Sequence, residues 1–403
     1  MTPEASRETQ TVQTTKATPL CQYFGTCGGC TCQHISYELQ LQNKKTALVH
    51  ALSTFAKTTP IQVFADKEYF YRNRMDFIFH AKGLGFRERS KAYVTVDIEK
   101  CVIANEPLNK LVQELRTFFA KKNQNQEGEE TKEIDAYEPK KRSGTFRYAV
   151  IRTPQNDSSI SFVLNSNSVR LNAAVELIKE FAQTTTAKNV IVTYIPANTD
   201  HSISEEYFVI KGTDMLEETF LNKKFHYSVQ GFFQNNSIMA EKMHEYVHQL
   251  LKKDETKNAH LLDLYAGVGT FGIINADLFK SVLMIEAFAG CVTAAQKNIL
   301  ENNVNNAQAQ VLDAKHLRRL SLDNKKPLVV ITDPPRTGMD MKTIEQLKEL
   351  KPEVMIYISC NVEQLAKDIL KFKTRYNIKS AALFDLFPQT NHSEAVVEFV
   401  LKK

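Results

Sequence analysis

From about residue 232 onward, short apolar runs alternate with stretches of helical periodicity, and few folds are open to a chain patterned this way. Residues 261–264 lead into a glycine-rich turn and a helix. Residues 282–286, a helix to 302, and the runs 309–312 and 328–333 follow. A helix over 341–350, the run 354–359, a helix over 363–373 and the runs 381–387 and 395–401 complete the series. Strands separated by helices predict a doubly wound, Rossmann-like α/β sheet, which takes its ligands at the carboxyl ends of its strands. Upstream the rhythm differs. The segments 75–79, 93–98, 160–164, 190–195 and 207–211 alternate apolar and polar residues and read as strands, with one helix near 170–183. The expected organisation is a polar unstructured tail over 1–20, an α+β unit over 21–231 and a catalytic α/β unit over 232–403. An amphipathic helix over 34–56 is expected to pack on the catalytic unit. The Gln-, Asn-, Glu- and Lys-rich run 121–141 reads as a mobile loop.

Length allows this division, since 403 residues exceed one ordinary domain. Charge restricts the partner: 51 Lys and Arg against 46 Asp and Glu give only +5, so a polyanion would have to be gripped locally. Arg72, Arg74, Arg87, Arg89 and Lys91 form a candidate strip for that, or merely a solvated strand face. No apolar run approaches the roughly 18 residues of a membrane span, and the N-terminus lacks the apolar core of a signal peptide, so a cytoplasmic monomer is expected. In that compartment seven cysteines are not disulfides. Four crowd at Cys21, Cys27, Cys30 and Cys32, which points to metal or cluster ligation, while Cys101, Cys291 and Cys360 stand apart.

Five features of the C-terminal half are candidates for chemistry. Gly267, Gly269 and Gly272 make a G-x-G-x-x-G turn, whose small residues let the backbone approach a nucleoside-type ligand. Glu286 ends the next strand, where a carboxylate can hold ribose hydroxyls. Both features suit a nicotinamide dinucleotide as well as S-adenosylmethionine. Asp333-Pro334-Pro335-Arg336 favours the methyl donor, because a carboxylate or amide before Pro-Pro commonly presents the target atom to the methyl group. Amine-methylating enzymes would carry Asn at that place. Cys360, at a strand end just before a helix, is a candidate nucleophile whose thiol the helix dipole should acidify. Glu394, after the rigid turn at Pro388, is a candidate general base.

Taken in order, these motifs resemble those of the RNA uracil-5-methyltransferase family. The likeness runs over about 21–403. It rests on Cys21-x5-Cys27-Gly-Gly-Cys30, Tyr71-Arg72-Asn73-Arg74-Met75, Gly231-Phe232-Phe233-Gln234-Asn235-Asn236, the glycine turn, Asp333 to Gly338, Ser359-Cys360-Asn361 and His392-x-Glu394. The resemblance implies S-adenosylmethionine as donor and C5 of a uridine in structured RNA, ribosomal or transfer, as acceptor. It also implies addition of Cys360 to C6 and removal of H5 by Glu394. Gln234, Tyr265, Glu286 and Asp333 would line the cofactor and uracil pocket, with Asp313 near the adenine; Thr270 stands where relatives sometimes carry Asn. Cys21, Cys27, Cys30 and Cys101 would hold a 4Fe-4S cluster, with a four-cysteine zinc site as the alternative and Cys32 outside the pattern. The small β-barrel RNA-binding module that opens many relatives is expected to be missing, as in shorter bacterial and archaeal enzymes. A competing reading is a non-catalytic, cluster-bearing RNA-binding protein. It predicts loss of Cys360, Glu394, Asp333 or the glycine turn, and all four are present.

Overall fold

The computed structural model describes residues 15–55, 60–122, 134–252, 254–320, 322 and 327–402. Helix α1 (Tyr37–Ser53) begins at Ser36, whose hydroxyl accepts from the Leu39 N–H, and strand β1 (Ile61–Phe64) follows. Then come β2 (Arg74–His80), β3 (Gly83–Glu88), β4 (Lys91–Asp97), α2 (Glu106–Lys122), β5 (Phe146–Arg152), β6 (Ser159–Asn165), α3 (Leu171–Thr184), β7 (Asn189–Ile195) and β8 (Tyr207–Lys211). These seven strands from β2 onward form one sheet, ordered β4-β3-β2-β5-β6-β7-β8. All neighbours are antiparallel except β6 and β7, which α3 connects as a crossover. Strand β2 alternates strictly: Met75, Phe77 and Phe79 enter the core with α2 and α3, while Arg74, Asp76, Ile78 and His80 face the other way. The sequence led to one helix here, and the structure has two. Helix α2 buries Leu108, Leu111, Val112, Leu115 and Phe119 at helical spacing, and its Pro107 lies in the first turn, where no intrahelical N–H is lost.

The hairpin β9 (Met215–Phe220) and β10 (Lys223–Ser228) leads to α4 (Ser237–Leu251), a helix the sequence reading did not anticipate. The remaining chain follows the expected alternation: β11 (His260–Leu264), α5 (Thr270–Ile274), β12 (Ser281–Glu286), α6 (Ala289–Glu301), β13 (Ala307–Val311), β14 (Leu328–Thr332), α7 (Met341–Leu350), β15 (Val354–Ser359), α8 (Val362–Ile369), β16 (Tyr376–Phe384) and β17 (Glu394–Leu401). With β1 they form an eight-stranded sheet ordered β1-β16-β17-β15-β14-β11-β12-β13. Only β17 runs antiparallel to its neighbours. An antiparallel strand starts where parallel ones end, so the first residue of β17 sits on the rim where β14 and β15 finish.

Strand β1 corrects the expected division of the chain. It was placed by sequence in the N-terminal unit, yet it pairs in parallel with β16, Ile61 opposite Ala381 and Phe64 opposite Phe384. The Phe64 and Phe384 rings stack with centroids 4.5 Å apart. Leu48 and Leu52 of α1 join the same core as Ile369, Phe372 and Phe399. Residues 15–20 are likewise tied down, Ala17 N–H donating to the His34 carbonyl at 3.1 Å. Residues 1–14 of the expected tail and 123–133 of the expected loop lie outside the described residues. Residues 134–141 bond back to β5, with Tyr137 N–H donating to the Phe146 carbonyl at 2.8 Å. Among the described residues no helix is long and apolar enough to cross a membrane.

One buried ion pair locks α1 to the segment after β16. Lys44 Nζ lies 2.7 Å from Asp385 Oδ1, with side chains 5% and 0% exposed. Removing one partner would strand the other charge in the interior. Lys44→Met should therefore cost about 3–5 kcal/mol of unfolding free energy, read as a lowered denaturant midpoint. An unchanged midpoint would show that the pair carries no stability.

Candidate active site

The glycine turn between β11 and α5 is built for close approach. Tyr265, Gly267 and Gly269 all adopt positive φ, at 59°, 54° and 88°. A Cβ placed on Gly267 would meet no atom within 4 Å, so that side of the turn is open to a ligand. A Cβ on Gly272 would come within 2.6 Å of the Met284 side chain, so that glycine serves packing against β12. The helix that follows is only five residues long, and the turn's own amides matter more than a dipole. Glu286 fixes the turn: its carboxylate accepts from Gly267 N–H at 3.0 Å, Ala287 N–H at 2.7 Å and Phe288 N–H at 3.0 Å. Asp263 does the same from below, accepting from Gly272 N–H at 2.9 Å. It is buried and pushed up to about 8 by desolvation.

A cavity of about 570 Å³ opens beside this turn. Gln234, Tyr265, Gly267, Thr270, Glu286, Asp313 and Asp333 all line it, so the fold gathers every cofactor-binding candidate around one cavity. Cys360 and Glu394 stand at its inner end. Sequence reasoning missed Phe288, which is 74% exposed at the mouth, and Cys291 on α6; neither belongs to a motif.

A second cavity, of about 630 Å³, meets the first at Phe232, Gln234, Arg336, Cys360 and Glu394. Its far wall holds Cys21, Cys27, Cys30 and Cys101, and its flank holds Arg72, Arg74, Lys100 and His392. The sheet register explains why the catalytic candidates converge. Ser359 at the end of β15 lies opposite Ala395 of β17, which brings Cys360 and Glu394 to neighbouring positions on the rim. Asp333 follows β14, the next strand over, and its N–H reaches the Leu264 carbonyl.

The electrostatics differ from what the helix position of Cys360 suggested. Burial, joined by the Glu394 and Asp333 carboxylates, pushes the thiol up to about 11, opposed by Arg336 and by a hydrogen bond from the residue's own backbone. Asp333 is pushed up to about 7 by desolvation. Desolvation and the Asp333 charge also hold the Glu394 carboxyl well above the usual range, with Arg336 again opposing. Three acidic groups thus share one dry corner with one cation. Arg336 donates to His392 Nδ1 at 2.8 Å and is held by Asn361, whose side chain donates to the Arg336 carbonyl. Its role was legible only as the single charge after Pro-Pro.

The basic strip does not survive as one surface. Arg72 and Arg74 enter the second cavity, Arg87 pairs with Asp200 at 2.8 Å, Lys91 pairs with Glu88 at 2.7 Å, and Arg89 donates to the Cys30 carbonyl at 2.6 Å.

Comparison with known proteins decides what this arrangement belongs to. A family model described as tRNA (Uracil-5-)-methyltransferase matches residues 178–403. The chain belongs to that family. It is an S-adenosylmethionine-dependent RNA uracil-5-methyltransferase. The enzyme is 33% identical, over 93% of its length and 83% of the relative's, to an uncharacterized RNA methyltransferase of Caldanaerobacter subterraneus subsp. tengcongensis. It is 30% identical to the tRNA (uracil(54)-C(5))-methyltransferase of Pyrococcus horikoshii, over 96% of its length and 88% of the relative's. The crystal structure of Pyrococcus abyssi tRNA (uracil-54, C5)-methyltransferase in complex with S-adenosyl-L-homocysteine superposes with a TM-score of 0.74 at 26% identity, covering 93% of this enzyme and 86% of that one.

Proposed function

We propose that the enzyme methylates C5 of a uridine in structured RNA through a covalent Cys360 adduct. The observation carrying this reading is the meeting of a nucleoside-sized cavity and an Arg-flanked cavity at Cys360 and Glu394. Uracil C5 is a weak nucleophile. Addition of the Cys360 thiolate to C6 forms an S–C bond and pushes the ring electrons into an enolate, which makes C5 electron-rich. S-adenosylmethionine, held by the residues that line the cavity beside the glycine turn, would supply the electrophilic methyl that C5 takes, leaving as S-adenosylhomocysteine. Glu394 then takes H5, and the electrons left behind rebuild the C5–C6 double bond and expel Cys360 as thiolate. Its raised affinity for protons suits a base that accepts one from carbon and later releases it. The target base must leave its stack to reach so deep a pocket. Likeness to the two Pyrococcus enzymes favours tRNA as the acceptor. Mass-spectrometric mapping of 5-methyluridine in a deletion strain tests this. Loss from tRNA is expected, loss from ribosomal RNA would move the target, and no loss would leave the non-catalytic reading.

The four cysteines suit a metal cluster. Burial, joined by the neighbouring thiols, pushes Cys30 up to about 11 and Cys101 up to about 12, so holding these two as thiolates needs a cationic partner. Cys21, Cys27, Cys30 and Cys101 line one cavity, and that gathering, with three of them in the close spacing Cys21-x5-Cys27-x2-Cys30, supports a 4Fe-4S cluster on these four. A cluster there would act as a structural tie. Protein purified without oxygen should be brown, and Cys101→Ser should lose the colour; colourless protein with one equivalent of zinc would overturn this assignment.

The Cys360 thiol also predicts a pH dependence. Only the thiolate adds to C6, and below a value of about 11 the thiolate fraction rises with pH. Adduct formation should therefore accelerate about tenfold per pH unit between pH 6 and 9, measured as initial trapping rates on 5-fluorouridine RNA. A flat profile would show that cofactor or RNA binding has already ionised the thiol.

A further inference from the structure

The segment joining β16 to β17, Asp385 to Ser393, ends one residue before Glu394, and the chain spends an unusual number of hydrogen bonds on it. Gln389 is the centre. It is 1% exposed and adopts φ 67°, a left-handed conformation that a residue with a side chain keeps only when its surroundings impose it. All four of its hydrogen-bonding groups are used. Its N–H donates to Gln40 Oε1 at 3.0 Å, and its carbonyl accepts from Thr31 N–H at 3.0 Å and Cys32 N–H at 3.1 Å. Its side-chain amide donates to Glu68 at 2.9 Å and accepts from Gln40 at 3.0 Å. Two residues on, Asn391 accepts from the Cys32 thiol at 2.8 Å. Tyr71 holds the Pro388 carbonyl at 2.9 Å, and Gln40 also reaches the Cys32 carbonyl at 3.2 Å.

Cys32 is the one crowded cysteine that does not line the cavity shared by Cys21, Cys27, Cys30 and Cys101. It is buried at 6% exposure, and its thiol and N–H both point at the segment that leads to the base. We infer that Cys32 and Gln389 are positioning residues for Glu394, and that the cysteine-rich loop acts on catalysis through them. The inference rests on the reading of Glu394 as the base. Cys30 is one residue from Thr31, so the loop that carries the metal candidates and the loop that carries the base are separated by a single hydrogen bond. A shift of about 1 Å in a positioned catalytic group can cost 10²-fold in rate, and the step that suffers here is removal of H5 rather than addition to C6.

That selectivity makes the test. Cys32→Ala and Gln389→Leu should trap 5-fluorouridine RNA as fast as the parent enzyme, because Cys360 is untouched. On uridine RNA they should release product about 10- to 100-fold more slowly and accumulate a denaturation-resistant adduct whose base already carries the methyl group. Cys32→Ser, which keeps a donor toward Asn391, should restore release, and the visible absorbance of anaerobic Cys32→Ala should match the parent. Parental release rates in both variants, or equal losses of trapping and release, would overturn the proposal. Glu394→Gln, run alongside, separates the two claims. If it accumulates adduct and the positioning variants do not, the positioning role fails; if it releases product normally, the base assignment fails and the inference falls with it.

Discussion

Cys360→Ala should abolish methylation, with turnover reduced on the order of 10⁴-fold or more, while RNA and S-adenosylmethionine still bind. The side chain stands where both cavities meet, after β15 and beside Glu394, and no other cysteine of the described residues lines both. Cys291 lines only the cavity beside the glycine turn, Cys21, Cys27, Cys30 and Cys101 line only the other, and Cys32 lines neither. Without a thiolate at this point the uracil ring has no route to an enolate, so neither product nor adduct should form, even on 5-fluorouridine RNA. Near-normal turnover would remove the nucleophilic mechanism altogether, whatever the fate of the other assignments.

Glu394→Gln should show the opposite signature. Addition and methyl transfer remain possible, since the amide is nearly isosteric and the corner loses a negative charge that opposed the thiolate. Removal of H5 loses its acceptor. A protein–RNA adduct bearing the methyl group should therefore survive denaturation and dominate the products, with release slowed by about 10²–10⁴-fold, the usual contribution of a positioned base. The same charge argument gives a sign to the early step: trapping of 5-fluorouridine RNA at neutral pH should be as fast as in the parent or faster. Slower trapping would mean that Glu394 assists addition and is more than a base.

How far residues alone lead can be judged from particular cases. The catalytic sheet was readable because its strands are short apolar runs between Gly, Pro and polar breaks, and each falls within a few residues of its expected place. Its candidate site residues were chosen for the same reason, since strand ends are where a doubly wound fold puts ligands. Strand β1 was not. Four residues, Ile61-Gln62-Val63-Phe64, cannot announce that their partner is Ala381 to Phe384, because pairing across most of the chain leaves no local pattern. Helix α2 carried the right periodicity, Leu108-Leu111-Val112-Leu115, and was lost in a region read as strands; α4, with Met239-Met243-Val247-Leu251, was passed over ahead of the first strand read in the catalytic unit. The acidity of Cys360 was misjudged for a physical reason. A helix N-terminus contributes a fraction of a charge, whereas desolvation and two nearby carboxylates are set by residues distant in sequence.

The pairing of β1 with β16 has a consequence for how the molecule comes into being. During synthesis the edge strand and α1 leave the ribosome first, followed by the whole seven-stranded sheet, and only then by the strands that β1 must join. The seven-stranded sheet can close on itself while its flanking segment waits, with a bare row of N–H and C=O groups exposed to any other strand nearby. The last nascent piece to appear, β16 with β17, completes the edge and delivers Glu394 to the rim in the same movement. A chain cut short between β8 and β17 would therefore hold every strand of the seven-stranded sheet and a loose leader, and would lack Glu394.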